Sequence, residues 1–234
     1  MTIEDDISNW ISKKVKEAGA RGAVLGLSGG LDSAVTALLC KKAVPTLALI
    51  MDCASTKEEV DLALEIADLY KIPHKLIKLD EVLRSFLLAL QAGDADRKTI
   101  GNVKARLRMV TLYFHANRFN YLVVGTGNKS ELSVGYFTKY GDGGVDILPL
   151  GDLYKTEVRA LARRLMLPEK IIGRKPSAGL WEGQTDEEEL GMTYEELDSI
   201  LTRLSKGGED ERVRDLMKKS EHKRSNVPIF KMKS

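Results

Sequence analysis

The chain has 234 residues, 43% of them apolar, with 36 basic and 34 acidic side chains and a net charge of +2. That is enough apolar material for a substantial core, and so balanced a charge makes no field that would gather nucleic acid. No stretch near the start joins a basic region to an apolar run, and none approaches the roughly 18 apolar residues of a membrane span, so a cytoplasmic protein without a membrane partner is expected.

Apolar positions Ile3, Ile7, Trp10, Ile11, Val15 and Ala18 recur at helical spacing, and Ala23 to Leu27 is a short apolar run ending in Ser-Gly-Gly, which reads as a helix and then a buried strand. Leu31 to Lys42 reads as a helix and Thr46 to Met51 as a second strand. Lys57 to Tyr70 reads as a helix opened by a capping box at Ser55 or Thr56,. His74 to Leu79 is a third strand, a helix carries Val82 to Leu90, a long helix spans about 99–118, and Tyr121 to Val124 is a fourth strand. This alternation predicts an α/β fold with a doubly wound parallel sheet, helices on both faces and a ligand crevice beyond the strands' C-terminal ends. The pattern is irregular from Gly125 to Pro149, after which Asp152 is expected to cap a helix reaching Met166,. Residues 167–185, with Pro168, Gly173, Pro176, Gly179 and Gly183, read as a connection. Thr193 and Glu196 form a capping box, with Met192 and Leu197 as a hydrophobic staple, and open a C-terminal helical region,. The whole of 1–234 reads as one domain, loop-rich and helical from about residue 167.

The two cysteines, Cys40 and Cys53, belong to no metal or disulfide spacing, and packing is the expected role of Cys53,. Chemistry is expected in the irregular stretch from Gly125 to Pro149, and an anion site at the turn from the first strand into its helix, Gly26-Leu27-Ser28-Gly29-Gly30-Leu31-Asp32-Ser33. Backbone N–H groups at a helix N-terminus form an anion cradle, glycines let a phosphate approach, and Ser28 and Ser33 add hydroxyl donors. A carboxylate beside a polyphosphate is repelled unless a divalent cation lies between them, so Asp32 points to Mg²⁺. The same residues also read as a plain helix cap and tight turn.

Ser-Gly-Gly-x-Asp-Ser after a first strand resembles the pyrophosphate loop of the adenine nucleotide alpha hydrolase-like ATPases, with their Rossmann-like fold and cleavage of ATP between its α- and β-phosphates. The loop alone does not choose among NAD, GMP and asparagine synthetases or transfer-RNA lysidine and thiolation enzymes. Gly125-Thr126-Gly127-Asn128-Lys129-Ser130-Glu131, the stretch Gly135 to Asp146, Lys155, Lys175-Pro176-Ser177-Ala178-Gly179-Leu180, Thr185-Asp186-Glu187 and Glu221-His222-Lys223-Arg224 together resemble ammonia-dependent NAD synthetase. The resemblance extends from about residue 3 to 230. It implies Asp32 and Glu131 as Mg²⁺ ligands, and Thr126, Lys155 and Ser177 as ATP contacts beside the loop Gly26 to Ser33. It implies Arg106, Lys139, Asp146, His222 and Lys223 as deamido-NAD contacts, with Asn102 and Asp142 lining the site. Position 31 is Leu where many members have Gln, and Ser177 stands where Thr is usual but keeps a hydroxyl,. Taken singly, Lys155, Arg106 and His222 also read as ordinary surface residues.

The implied activity is a ligase: ATP-dependent amidation of deamido-NAD to NAD with ammonia, through an adenylated carboxylate, releasing pyrophosphate and AMP. Asp142 is the candidate for orienting ammonia or taking its proton, with Lys155 stabilising the leaving group. Free ammonia is the expected nitrogen source, because the synthetase resemblance uses nearly all the residues and leaves none for an amidase domain. The family is homodimeric, and the helices at 3–18 and 99–118 could supply an interface. Two alternatives stay open: another ligase of the same superfamily, distinguished by what stands at Arg106, Lys139 and Asp146, and a nucleotide-binding module without catalysis, which would need no second carboxylate such as Glu131.

Overall fold

The computed structural model describes residues 2–181 and 183–232. Strands β1 (Gly22–Gly26), β2 (Thr46–Asp52), β3 (His74–Lys78) and β4 (Tyr121–Val123) form one parallel sheet in the order β3-β2-β1-β4. In register, Ala23 lies opposite Thr46 on one side and Leu122 on the other. Side chains alternate across a strand, and both faces are covered, which is why β1 reads as a continuous apolar run. Ala23 and Leu25 point into the larger core cluster, while Val24 joins Leu49, Ala116 and Val123 on the opposite face.

Helices α1 (Ile3–Glu17), α2 (Leu31–Ala43), α3 (Lys57–Leu69), α7 (Lys155–Arg164) and α8 (Glu169–Ile172) supply the first face, and α4 (Asp80–Ala89) and α5 (Arg97–Phe119) the second. Fully buried Leu25, Leu39, Leu49 and Ile66 each contribute about 1.5–3 kcal/mol relative to exposure. Capping boxes at Thr2/Asp5 and Thr56/Glu59 satisfy orphan N–H groups at the starts of α1 and α3,. Asn120, at φ 55°, ends α5 in the left-handed region that Asn tolerates,. Cys53 is buried with Leu79 and Leu83.

Past β4, α6 (Lys129–Val134), α9 (Asp186–Leu190), α10 (Tyr194–Leu204), α11 (Glu211–Lys219) and α12 (Glu221–Arg224) complete the described elements. Val134, Leu190, Tyr194, Leu197, Leu201 and Val213 make a second, smaller core there, with Met192 also buried in it. Three local expectations differ. The stretch after Gly125 contains a short helix, α6, because the side chain of Asn128 accepts from the Glu131 N–H while Glu131 reaches back to the Asn128 N–H,. The next helix starts at Lys155 rather than Asp152, whose exposed carboxylate instead pairs with Lys129 at 2.8 Å. The 167–185 connection holds one helical turn, α8.

The order β3-β2-β1-β4 places the topological switch point between β1 and β4, where the chain leaves β1 for β2 on one side and the strand order reverses to β4 on the other. A crevice opens there, and it is bordered by the 28–33 loop after β1 and the 125–131 segment after β4.

Candidate active site

A cavity of about 390 Å³ occupies this crevice, within the range of small-molecule sites. The turn after β1 forms its floor. Gly29, at φ 81°, adopts a left-handed conformation, and a Cβ there would lie 2.8 Å from the Glu59 carbonyl oxygen, so the turn passes against α3 closely enough to require glycine,. Ser33 Oγ donates to the Gly30 carbonyl at 2.9 Å and accepts the Ser28 N–H at 3.2 Å, and the Ser28 hydroxyl lies 3.1 Å from it, which holds both hydroxyls at the mouth of α2.

Asn128, fully buried, ties the two outgoing loops together. Its Nδ2 donates to Asp32 Oδ1 at 3.2 Å, and its backbone N–H donates to Glu131 Oε2 at 3.1 Å. The remaining oxygens, Asp32 Oδ2 and Glu131 Oε1, both face Lys155 Nζ, the latter at 3.4 Å. Lys155 is 3% exposed, and the Tyr194 ring lies 4.9 Å from its Nζ. Burial on its own would lower the lysine pKa, but the Asp32 and Glu131 charges outweigh it and raise it, so the lysine stays cationic,. Burial pushes the Glu131 carboxyl up while Lys155 pulls it back.

At the start of α7 the local Glu157 carboxylate accepts only the Tyr154 N–H, at 2.7 Å, and distant residues receive the N–H groups that follow. Ser130 Oγ accepts the Lys155 N–H at 2.9 Å, and Asp198 Oδ2, from α10, accepts the Thr156 N–H at 2.9 Å. Asp198 Oδ1 also accepts the Ser130 hydroxyl. The second core thereby fixes the backbone from which Lys155 projects.

Of the residues expected from sequence, Gly26, Leu27, Ser28, Gly30, Leu31, Asp32, Ser33, Asn102, Thr126, Glu131, Asp142, Lys155, Ser177 and Lys223 line the cavity. Gly29 shapes it from behind. Asp142 accepts the Thr138 N–H at 2.9 Å; burial raises its pKa against that hydrogen bond. Thr138 Oγ1 also donates to Asn102 Oδ1 at 2.8 Å. Lys223 Nζ donates to the Gly135 and Phe137 carbonyls, each at 2.8 Å, fastening α12 to the cavity wall. Arg106, Lys139, Asp146 and His222 do not line the cavity. Arg106 donates to the Lys139 carbonyl at 3.3 Å and Lys139 to that of His222, so these three make a second cluster. Asp146 accepts from the Val123 N–H at 2.7 Å and the Tyr113 hydroxyl at 2.9 Å.

The cavity also takes in Arg108, Arg159, Arg174 and Asp186, to which sequence reasoning gave no role. Arg108 lies two residues from Arg106, the one signal available for it. Among the described residues no group of three or more His, Cys, Asp or Glu could hold a metal ion. Two carboxylates that converge on one cation suit Mg²⁺, which is commonly held by one or two carboxylates together with substrate phosphates.

The model of the family described as NAD synthase matches residues 3–228. The chain belongs to the NAD synthase family. A relative named NH3-dependent NAD+ synthetase, from Archaeoglobus fulgidus, is 47% identical over 241 aligned residues, covering 99% of this chain and 97% of that one. Among solved structures, NMN synthetase from Francisella tularensis is 39% identical with a TM-score of 0.92, covering 98% of each chain. NH3-dependent NAD synthetase from Campylobacter jejuni is 34% identical with a TM-score of 0.79, covering 98% of this chain and 97% of that one. The expected α/β architecture therefore stands, with a parallel sheet and helices on both faces. No helix among the described residues is long and apolar enough to cross a membrane.

Proposed function

We propose that the protein is a ligase that amidates the nicotinate carboxylate of deamido-NAD with ammonia, using ATP and giving NAD, AMP and pyrophosphate. The observation that carries this reading is the convergence of the 28–33 loop, the Asp32 and Glu131 carboxylates and Lys155 on one cavity, in a chain similar over its whole length to NH3-dependent NAD+ synthetases.

A carboxylate does not condense with ammonia in neutral water because oxide is too poor a leaving group, and adenylation supplies a better one. A nicotinate oxygen attacks the α-phosphorus of ATP, the bond to the bridging oxygen breaks, and pyrophosphate leaves towards the loop after β1. The loop N–H groups, the Ser28 and Ser33 hydroxyls and the Lys155 ammonium stabilise the charge gathering on it. Asp32 and Glu131 would hold Mg²⁺, which when bound neutralises the polyphosphate. Thr126 and Ser177 contact ATP from the cavity wall. Ammonia then attacks the acyl carbon, AMP departs, and the nitrogen loses a proton. Asp142, whose pKa burial raises, serves as the acceptor or orients the nucleophile. Asn102 and Lys223 bind the nicotinate side. Arg106, Lys139, Asp146 and His222 bind parts of deamido-NAD that extend beyond the cavity of a single copy. This assignment accords with a homodimer, for which exposed Ile3 and Trp10 on α1 and Val110 and Phe114 on α5 offer apolar surface,.

A second reading, with nicotinate mononucleotide as the acid and NMN as the product, is favoured by the TM-score of 0.92 to an NMN synthetase. It leaves the adenylation chemistry unchanged. The deciding experiment incubates the protein with ATP, Mg²⁺ and ammonium plus either acid, and compares kcat/KM. Preference for deamido-NAD supports the first reading and preference for the mononucleotide the second; no AMP from either acid would overturn both.

A further inference from the structure

Each of the two proposed metal carboxylates has one oxygen already committed. Asp32 Oδ1 accepts from Asn128 Nδ2 at 3.2 Å and Glu131 Oε2 from the Asn128 N–H at 3.1 Å. The oxygens left for a cation, Asp32 Oδ2 and Glu131 Oε1, are the two that Lys155 Nζ engages. A divalent ion drawn to the same pair would meet an ammonium already there, and at such separations in a site shielded from water two like charges repel strongly.

The cavity offers that ammonium another place. Asp186 is 3% exposed and lines the cavity. Its Oδ2 accepts from the Tyr194 hydroxyl at 3.0 Å, whereas its Oδ1 is buried with no hydrogen-bond partner among the described residues, the neighbouring Tyr136 hydroxyl being given to Glu189 at 2.6 Å. A buried carboxylate oxygen without a donor is costly, so its retention points to a donor that arrives. Tyr194 stands between the two positions, its ring beside the ammonium and its hydroxyl also 3.5 Å from Glu131 Oε1.

We propose that Lys155 is a resident counter-ion that fills the cation position between Asp32 and Glu131 in the nucleotide-free protein, and that its ammonium moves to Oδ1 of Asp186 and to phosphate when a divalent cation enters with ATP. The inference rests on the assignment of Asp32 and Glu131 as metal carboxylates made above. It makes the metal–nucleotide complex, rather than the free ion, the species that binds.

Mn²⁺ binding, read by the electron paramagnetic resonance signal of the free ion, tests this on the full chain without turnover. The wild-type protein should bind Mn²⁺ alone weakly and Mn²⁺ with ATP tightly; tight binding of Mn²⁺ alone overturns the proposal with no variant needed. Lys155→Met should gain affinity for Mn²⁺ alone by about tenfold or more, whereas Lys155→Arg, which keeps the charge, should not. Asp186→Asn should leave the weak binding of Mn²⁺ alone unchanged but weaken Mn²⁺ with ATP, and that loss should vanish when Lys155→Met is also present. No gain in folded Lys155→Met overturns the resident counter-ion. If Asp32→Asn and Glu131→Gln instead leave Mn²⁺–ATP binding intact, the metal assignment itself is wrong.

Discussion

Asp198 lies on α10, outside the cavity, yet replacing it with alanine should weaken both the fold and the chemistry. Its side chain is buried, and its two oxygens accept from the Ser130 hydroxyl and from the Thr156 N–H at 2.9 Å. Alanine leaves the buried Ser130 hydroxyl and the half-buried Thr156 N–H without that acceptor, and each orphaned donor costs about 1–3 kcal/mol. Losing a carboxylate at a helix N-terminus removes up to about 1 kcal/mol more. The expected loss is therefore about 2–7 kcal/mol, towards the lower end because Thr156 is only half-buried, against about 5–15 kcal/mol for the whole stability of many domains, so the variant should fold with its stability reduced. Because Ser130 Oγ also accepts the Lys155 N–H at 2.9 Å, the same change loosens the backbone that carries Lys155, and kcat should fall more than the affinity for ATP. Urea unfolding measures the first effect and steady-state kinetics the second. Asp198→Asn keeps one acceptor and should lose about half as much. A midpoint and slope for Asp198→Ala equal to wild type would show that water satisfies both donors, and would refute the cap.

What was legible in the sequence is what local rules decide. The turn after β1 announces itself because an apolar run, two glycines and a helix start are contiguous, and the structure needs glycine at Gly29 for its φ of 81°. The convergence of Asp32, Glu131 and Lys155 was legible in a weaker sense. Alternating strands and helices predict a parallel sheet, and such a sheet gathers the loops of neighbouring strands at one edge. The helix α6 was readable but missed, since Asn128-x-x-Glu131 is a capping-box pattern in the middle of a glycine-rich stretch,. The start of α7 was not readable, because the acceptors of its first two helical N–H groups, Ser130 and Asp198, lie 25 and 42 residues away from the groups they receive. Asp152 has the right residue type for a cap, but its carboxylate sits in solvent beside Lys129. Asp186 was noticed as part of a motif, yet its environment depends on Tyr194 and Lys155, which only the packing of the second core brings to it.

The other expectations concern the divided roles of the site. Asp32→Ala and Glu131→Ala should each abolish substrate-dependent exchange of labelled pyrophosphate into ATP, since either leaves the polyphosphate less neutralised; normal exchange in both would remove them from adenylation. Lys139→Ala should weaken deamido-NAD much more than ATP in direct binding, because Lys139 lies outside the cavity with Arg106 and His222; equal losses would contradict that division. Burial raises the Asp142 pKa, and a carboxyl raised on folding contributes stability at low pH that is lost as pH climbs through its folded value. Asp142→Asn should therefore melt above wild type at neutral pH, with the gap closing as pH falls to about 4, and a gap independent of pH would show that the carboxyl is not perturbed. The nitrogen source gives the remaining test. Only unprotonated ammonia has a lone pair with which to attack the adenylate, so the apparent KM for total ammonium should fall as pH rises towards ammonia's own pKa, while the KM expressed as NH3 stays flat. The two cysteines give glutamine no nucleophile, since Cys40 is fully buried with its pKa pushed up to about 12 by burial, and Cys53 is packed against Leu79 and Leu83. A thiol held protonated in an apolar core does not attack an amide. Glutamine should thus yield no product with this chain alone, and Cys40→Ala should leave ammonia-driven turnover unchanged. Glutamine-driven synthesis with ammonium contamination excluded would overturn the assignment, and product formed only after a second protein is added would place glutamine hydrolysis on that partner.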